Sequence, residues 1–163
     1  MGKPFYKSGD FDARRSLGYL IRRLNNLIVP RAEALFADAE ISFTQWIMLK
    51  SVRDGIATTP GEIARHLGHD TGATTRLVDQ MEKRGLLERR RCTDDRRVVY
   101  LDITPAGKAL IKLLTPRMLD FWNKALDGSF EPEEAEKLID ALTRLMERLE
   151  EQPEMPMKAG ARK

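Results

Sequence analysis

The sequence predicts a mainly α chain with one small β-hairpin, and three observations carry that expectation. Apolar residues recur at three and four positions through 15–36, 43–52 and 105–149. Between these stretches, Thr59 to Thr104 holds two short helical patterns separated by Gly68 and Asp70. Two β-rich runs follow, 86–91 and 98–103, on either side of a loop rich in Arg and Asp. Helix, turn, helix, hairpin is the order of a winged helix-turn-helix, which places its second helix in the DNA major groove.

Residues 1–12 mix Gly, Pro, Lys and Asp with Phe5, Tyr6 and Phe11, and read as an arm. Its aromatics either pack on a neighbouring helix or subunit or stay untied, as chain ends often do. From Arg15 a helical pattern begins, with Leu17, Leu20, Ile21, Leu24, Leu27, Ile28, Leu35 and Phe36 on its apolar side. Pro30 removes a backbone donor within it, so a kink or two abutting helices are expected. Arg14, Arg15, Arg22, Arg23 and Arg31 read as a solvated outer face, with a basic stripe as the alternative.

Ser42 and Gln45 form a capping box for the next helix, whose apolar residues are Phe43, Trp46, Ile47, Leu49 and Val52. Asp54-Gly55 ends it. Trp46 is a core residue by default and a candidate to line a ligand cavity. Thr59-Pro60-x-Glu62 is a second capping box, opening a short helix expected to bury Ile63, Ala64 and Leu67. Gly68 stops it; Asp70 caps the following helix, expected to run to Arg84 with Gly85 after it.

That helix sets Thr74, Leu77, Val78 and Met81 on one side. Its other side carries Thr71, Gly72, Thr75, Arg76 and Asp79. Threonine hydroxyls meet bases or phosphates, Gly72 allows close backbone approach, and Arg76 suits a guanine edge or a phosphate oxygen. The free amides of the helix start add attraction for phosphate. In the hairpin loop, Arg96 and Arg97 suit an adjacent minor groove. The loop carboxylates would repel DNA, so at least one is expected to pair with an arginine.

The run TTRLVDQMEKRGLLERR, then DDRR, then LDITPAGKAL, resembles the MarR family of bacterial transcription regulators, over the chain from the first helix to Leu149. The resemblance implies a homodimer with a winged helix-turn-helix in each subunit, bound to a palindromic operator in double-stranded DNA. It implies that Asp95 positions Arg97 for the minor groove, through an Asp-x-Arg motif. It also implies a repressor, released by a small aromatic or phenolic effector between the dimerisation helices and the DNA-binding lobe. Arg91 and Cys92 depart from the family pattern, which has Pro and a small polar residue there.

Thr104-Pro105 starts a long helix in which Pro116 is expected to make a bend. Pro132 opens a last helix with Ala135, Leu138, Leu142, Leu145 and Leu149 at three- and four-residue spacing, widened by Ile139 and Met146. Such a stripe asks for cover, from a two-fold partner or from the first helix. The expected organisation is an arm and dimerisation helix at 1–40 and a DNA-binding domain at 41–104. C-terminal dimerisation helices occupy 105–151, and a mobile tail 152–163.

Other functions find little in the residues. The 163-residue chain has a net charge of +3 and one cysteine, which fits a reducing cytoplasm. No apolar run suits a membrane span, and the first residues lack a signal peptide's apolar core. No nucleophile with a base, metal cluster or phosphate-cradling glycine loop suggests an enzyme or a cofactor. His66 and His69 straddle a helix end and do not make a metal site by themselves. Cys92 reads as an incidental thiol, with a redox switch as the alternative. The competing function is a winged-helix module that binds protein and has no sequence-specific DNA affinity.

Overall fold

The computed structural model describes residues 5–6, 12–95 and 97–152. It is mainly helical, with a two-stranded antiparallel hairpin as its sheet. The chain divides into two compact units, residues 1–118 and 119–163.

In the first unit, a tight helical turn at Ala13–Arg15 leads into α1, Leu17–Phe36. The helix starts two residues later than its apolar pattern, because the Ser16 side chain accepts from the Tyr19 amide and fixes the cap there. Tyr6 is anchored at this start, its hydroxyl accepting from the Leu17 amide at 2.9 Å. α1 is unbroken across Pro30, so the two-helix alternative is not realised. The carbonyl deprived of a donor belongs to Asn26, which is exposed and can be satisfied by water.

A second tight turn, Ala37–Ala39, ends at Glu40, whose φ of 52° lies in the left-handed region. Two distant arginines hold this turn. Arg84 donates to the carbonyls of Ala39 and Glu40. Arg117 donates to the Leu35 carbonyl at 3.0 Å and grips the Asp38 carboxylate. These charge-assisted bonds offset the cost of a strained residue.

α2, Phe43–Arg53, and α3, Pro60–Leu67, both begin in complete capping boxes, Ser42 with Gln45 and Thr59 with Glu62. α2 buries Met48, Leu49, Ser51 and Val52, whereas Phe43, Trp46 and Ile47 are half-buried. In α3 only Ile63 is buried; Ala64 and Leu67 are half-buried, since an eight-residue helix offers little more than one inward turn. Gly68 closes it with φ 63°, a conformation that glycine adopts without a Cβ penalty.

α4, Thr71–Lys83, is capped by Asp70 and ends on Arg84. The hairpin pairs β1, Leu87–Arg91, with β2, Val99–Ile103, with Leu87 opposite Ile103 and Arg91 opposite Val99. The outer edge of β2 is used as well, the Leu101 amide donating to the Thr58 carbonyl at 2.7 Å. The core joins Phe36, Met48, Ile63, Met81, Leu87, Leu101 and Ile111, each at most 2% exposed.

α5, Pro105–Leu126, is continuous through Pro116. Its first turn is bolted to the hairpin. Thr104 Oγ1 donates to the Gly85 carbonyl at 2.7 Å and accepts from the Gly107 amide at 3.1 Å. Gly107 lies so close that a Cβ there would fall on the Leu86 carbonyl oxygen and, at 2.8 Å, on Ile103 Cγ1.

In the second unit, α6, Pro132–Glu150, starts where Glu134 accepts from the Glu131 amide at 3.1 Å. None of its residues is buried, and Leu138, Ile139, Leu142, Met146 and Leu149 stand in the open. Among the described residues, no helix is long and apolar enough to cross a membrane. The expected tail beyond Gln152 and the aromatic Phe11 of the arm lie outside them.

Candidate nucleic-acid interface

α4 turns one face inward through the buried Thr74, Val78 and Met81. The opposite face presents Thr71, Gly72, Thr75, Arg76 and Asp79, all exposed. Asp70 spends one carboxylate oxygen on the Ala73 amide at 2.8 Å. That bond chiefly holds its carboxyl below the usual range, and the charge of Arg76 adds to the effect. The Thr75 hydroxyl donates to the Thr71 carbonyl at 2.8 Å, so it remains an acceptor toward an outside donor and has no proton to give. The Arg76 side chain makes no hydrogen bond or ion pair with a described residue, and the residue is exposed.

Helix and hairpin are joined by a residue that local patterns do not mark. Arg89 of β1 reaches α4, donating to Asp79 at 2.6 Å and to Glu82, while its amide donates to Glu82 Oε1 at 3.3 Å. Asp79 therefore serves the hairpin and is neutralised before it could repel a polyanion. On the other face of the hairpin, Arg90 pairs with Asp102 and sits 5.2 Å from the centre of the Tyr100 ring.

The loop is organised by Asp95. It accepts from the Arg97 amide at 3.0 Å and from Arg97 Nε and Nη2, each at 3.1 Å. The guanidinium beside it holds the Asp95 carboxyl below the ordinary value. Arg97 itself stands almost wholly in solvent, its side chain 91% exposed. Arg96 lies outside the described residues. The Asp95 and Asp94 amides hydrogen-bond to the half-buried Cys92 sulfur and lower its thiol pKa from the ordinary value.

Trp46 belongs to an aromatic cluster. Its ring stacks near Phe43, with centroids 6.1 Å apart and planes inclined by 16°, and meets Phe36 at 5.5 Å. Its indole Nε1 is buried and has no acceptor. His66 is exposed and His69 half-buried, and no group of three metal-ligating side chains occurs among the described residues.

Comparison with known proteins places this geometry. Residues 41–99 match the model of the MarR family. The multiple antibiotic resistance protein MarR of Salmonella typhimurium is 35% identical over 89 residues, 55% of this chain and 56% of that protein. The chain thus spans little more than half the length of this curated relative. A mutant of MarR from E. coli, solved in complex with operator DNA, superposes with a TM-score of 0.68 at 26% identity, over 79% of this chain and 92% of that one. BpsR of Bordetella bronchiseptica, whose DNA binding is described as regulated by 6-hydroxynicotinic acid, superposes with a TM-score of 0.68 over 89% of this chain and all of its own. Its 21% identity makes that a likeness of fold.

Proposed function

Because the chain belongs to the MarR family, matching its model over residues 41–99, we propose that it is a transcription regulator that binds duplex DNA. In this reading it acts in the cytoplasm as a homodimer, on a palindromic operator, and as a repressor. α4 enters the major groove with Thr71, Gly72, Thr75 and Arg76. The hairpin loop brings Arg97, held by Asp95, and its neighbour Arg96 to the minor groove.

The observation that carries the reading is the Arg89 bridge. It ties the hairpin whose loop carries Arg97 to the exposed face of α4, with the Asp79 carboxylate neutralised in the bridge. A helix N-terminus, a free guanidinium and a braced arginine match a phosphate backbone in charge and in donor direction.

Homodimer formation is supported by what the two ends leave uncovered. Leu20, Ile21 and Leu24 of α1 are 45%, 45% and 55% exposed, and the α6 stripe is open along its length. A second copy covers both without a new kind of partner. The two dimerisation segments are taken as 1–40 and 105–151, flanking the DNA-binding domain at 41–104.

A small aromatic or phenolic effector is assigned to the neighbourhood of Trp46. The buried indole N–H lacks an acceptor, and a carboxylate or phenolate would supply one beside a ring cluster. Such a ligand releases DNA only if it binds one spacing of the paired DNA-binding lobes more tightly than the other.

Selection of bound sequences from random duplex DNA, followed by titration of the winner across salt, tests the reading. An enriched palindrome whose affinity falls steeply with salt is expected, because phosphate contacts release counterions. Arg76→Ala should weaken that binding; an unchanged affinity and sequence preference would remove α4 as the reading element. A well-folded dimer that enriches no sequence would shift the function to binding protein.

A further inference from the structure

Arg91 is the arginine of β1 that the fold does not use. Along the strand Leu87 is buried, Glu88 exposed, Arg89 half-buried and Arg90 exposed. Successive strand residues point to opposite faces. Arg89 crosses to α4 and Arg90 is taken up by Asp102 and Tyr100, so Arg91 belongs to the face that Arg89 turns toward α4. Unlike these two, Arg91 makes no hydrogen bond or ion pair with a described residue, and it is exposed.

Its position along the helix follows from three bonds. The Leu86 amide donates to the Met81 carbonyl at 2.9 Å, the Arg89 amide to Glu82, and the Arg89 guanidinium to Asp79. β1 therefore starts at the C-terminal end of α4 and runs back toward its N-terminus. Two further strand residues cover about 6.6 Å, roughly the axial rise of four to five helical residues. Counted back from the Asp79–Glu82 stretch that Arg89 touches, Arg91 comes level with residues 74–78, the stretch that holds Thr75 and Arg76 on the exposed face assigned to the major groove.

Arg91 is also the last residue of β1, next to the loop that carries Arg97. Where a protein enters a major groove with one element and the adjacent minor groove with another, a phosphate backbone runs between the two. A cation without a carboxylate at that place keeps its charge for it. We propose that Arg91 is a phosphate-contacting residue, gripping with Arg76 the backbone segment that passes between α4 and the hairpin loop. The proposal rests on the DNA-binding reading.

The test measures affinity for the selected duplex across a salt series for the parent, Arg91→Ala, Arg91→Lys and Arg97→Ala. Losing one phosphate contact should make the plot of log affinity against log salt shallower by about 0.9, with base preference unchanged. At low salt Arg91→Ala should bind roughly ten-fold more weakly, the effect of one charge-assisted bond. Arg91→Lys should keep the parent slope. Parent-like slope and affinity in Arg91→Ala, with Arg97→Ala weakened, would take Arg91 out of the interface and leave DNA binding standing. A changed base preference in Arg91→Ala would overturn the phosphate assignment. A parent that binds no duplex at any salt would bring down the DNA-binding reading and this proposal with it.

Discussion

Arg97 is held by Asp95 through three donors, its Nε, its Nη2 and its own backbone amide, all within 3.1 Å. Two residues apart, they form a closed ring of hydrogen bonds that aims an otherwise free side chain. Arg97→Ala should weaken operator binding about ten-fold or more, by removing both a charge and the minor-groove contact proposed for it. Asp95→Asn keeps the arginine but loosens its aim, and should fall between parent and Arg97→Ala. Equal affinity of all three proteins at one salt concentration would exclude the loop from the mechanism. Unfolding midpoints should stay near the parent value for both, since exposed ion pairs contribute little to stability.

Gly107→Ala should destabilise the fold by roughly 2 kcal/mol or more, because the new methyl meets a backbone carbonyl that cannot turn aside. Urea unfolding measures it. A loss under about 0.5 kcal/mol would show that the start of α5 can shift away from Leu86 at little cost.

Acid should be the destabilising direction. Arg117 lowers the carboxyl pKa of Asp38, and Arg53 that of Asp54. The Thr58 amide does the same for Glu62, the Ala73 amide for Asp70 and Arg97 for Asp95. Each folded value lies below the unfolded one, so each contribution is complete above the unfolded carboxylate range, near about 4. It is lost as pH falls through the folded value. Urea midpoints measured at a series of pH values should be flat with respect to these groups above about pH 5 and drop steeply below about pH 4. A decline that is complete by pH 5 would show that these carboxylates do not govern acid stability.

Leu142→Glu places a charge in the middle of the open α6 stripe, where Leu142 is 41% exposed in the single chain. If a second copy covers that stripe, the substitution buries an unpaired carboxylate on assembly. Sedimentation should then show dimer dissociation raised by about two orders of magnitude, a cost of roughly 3 kcal/mol. A parent-like dimer would place the subunit contact elsewhere.

What the sequence made legible was local. The Ser42–Gln45 and Thr59–Glu62 boxes, the Asp70 cap and the glycine stops each satisfy backbone groups within a few residues, so order and spacing reveal them. The hairpin is legible for the same reason, whereas the choice of Asp95 and Arg97 as the loop's pair comes from the family resemblance. Pro30 invited a break that did not come, because the carbonyl it strands at Asn26 is in the open. Met48 escaped notice although it is fully buried, since the apolar residues around it on α2 outnumber those the core can take. Arg89 reads in the sequence only as part of a β-rich run. Its contacts to Asp79 and Glu82 need a strand folded back on a helix, which no spacing in the chain records. The same holds for Arg117 and Asp38, separated by 79 residues.

The turn from Ala37 to Glu40 is gripped from two sides, by Arg84 at the end of α4 and by Arg117 within α5. Apart from Asp38, what they grip is main-chain oxygen, of Leu35, Ala39 and Glu40. Every amino acid supplies such an oxygen. The main-chain grip therefore asks for no particular side chain at Ala39 or Glu40, while it does fix the length of the turn. Inserting or deleting one residue would move the carbonyls away from both guanidinium groups at once, and the end of the α4 helix would lose its moorings without any side chain of its exposed face having changed.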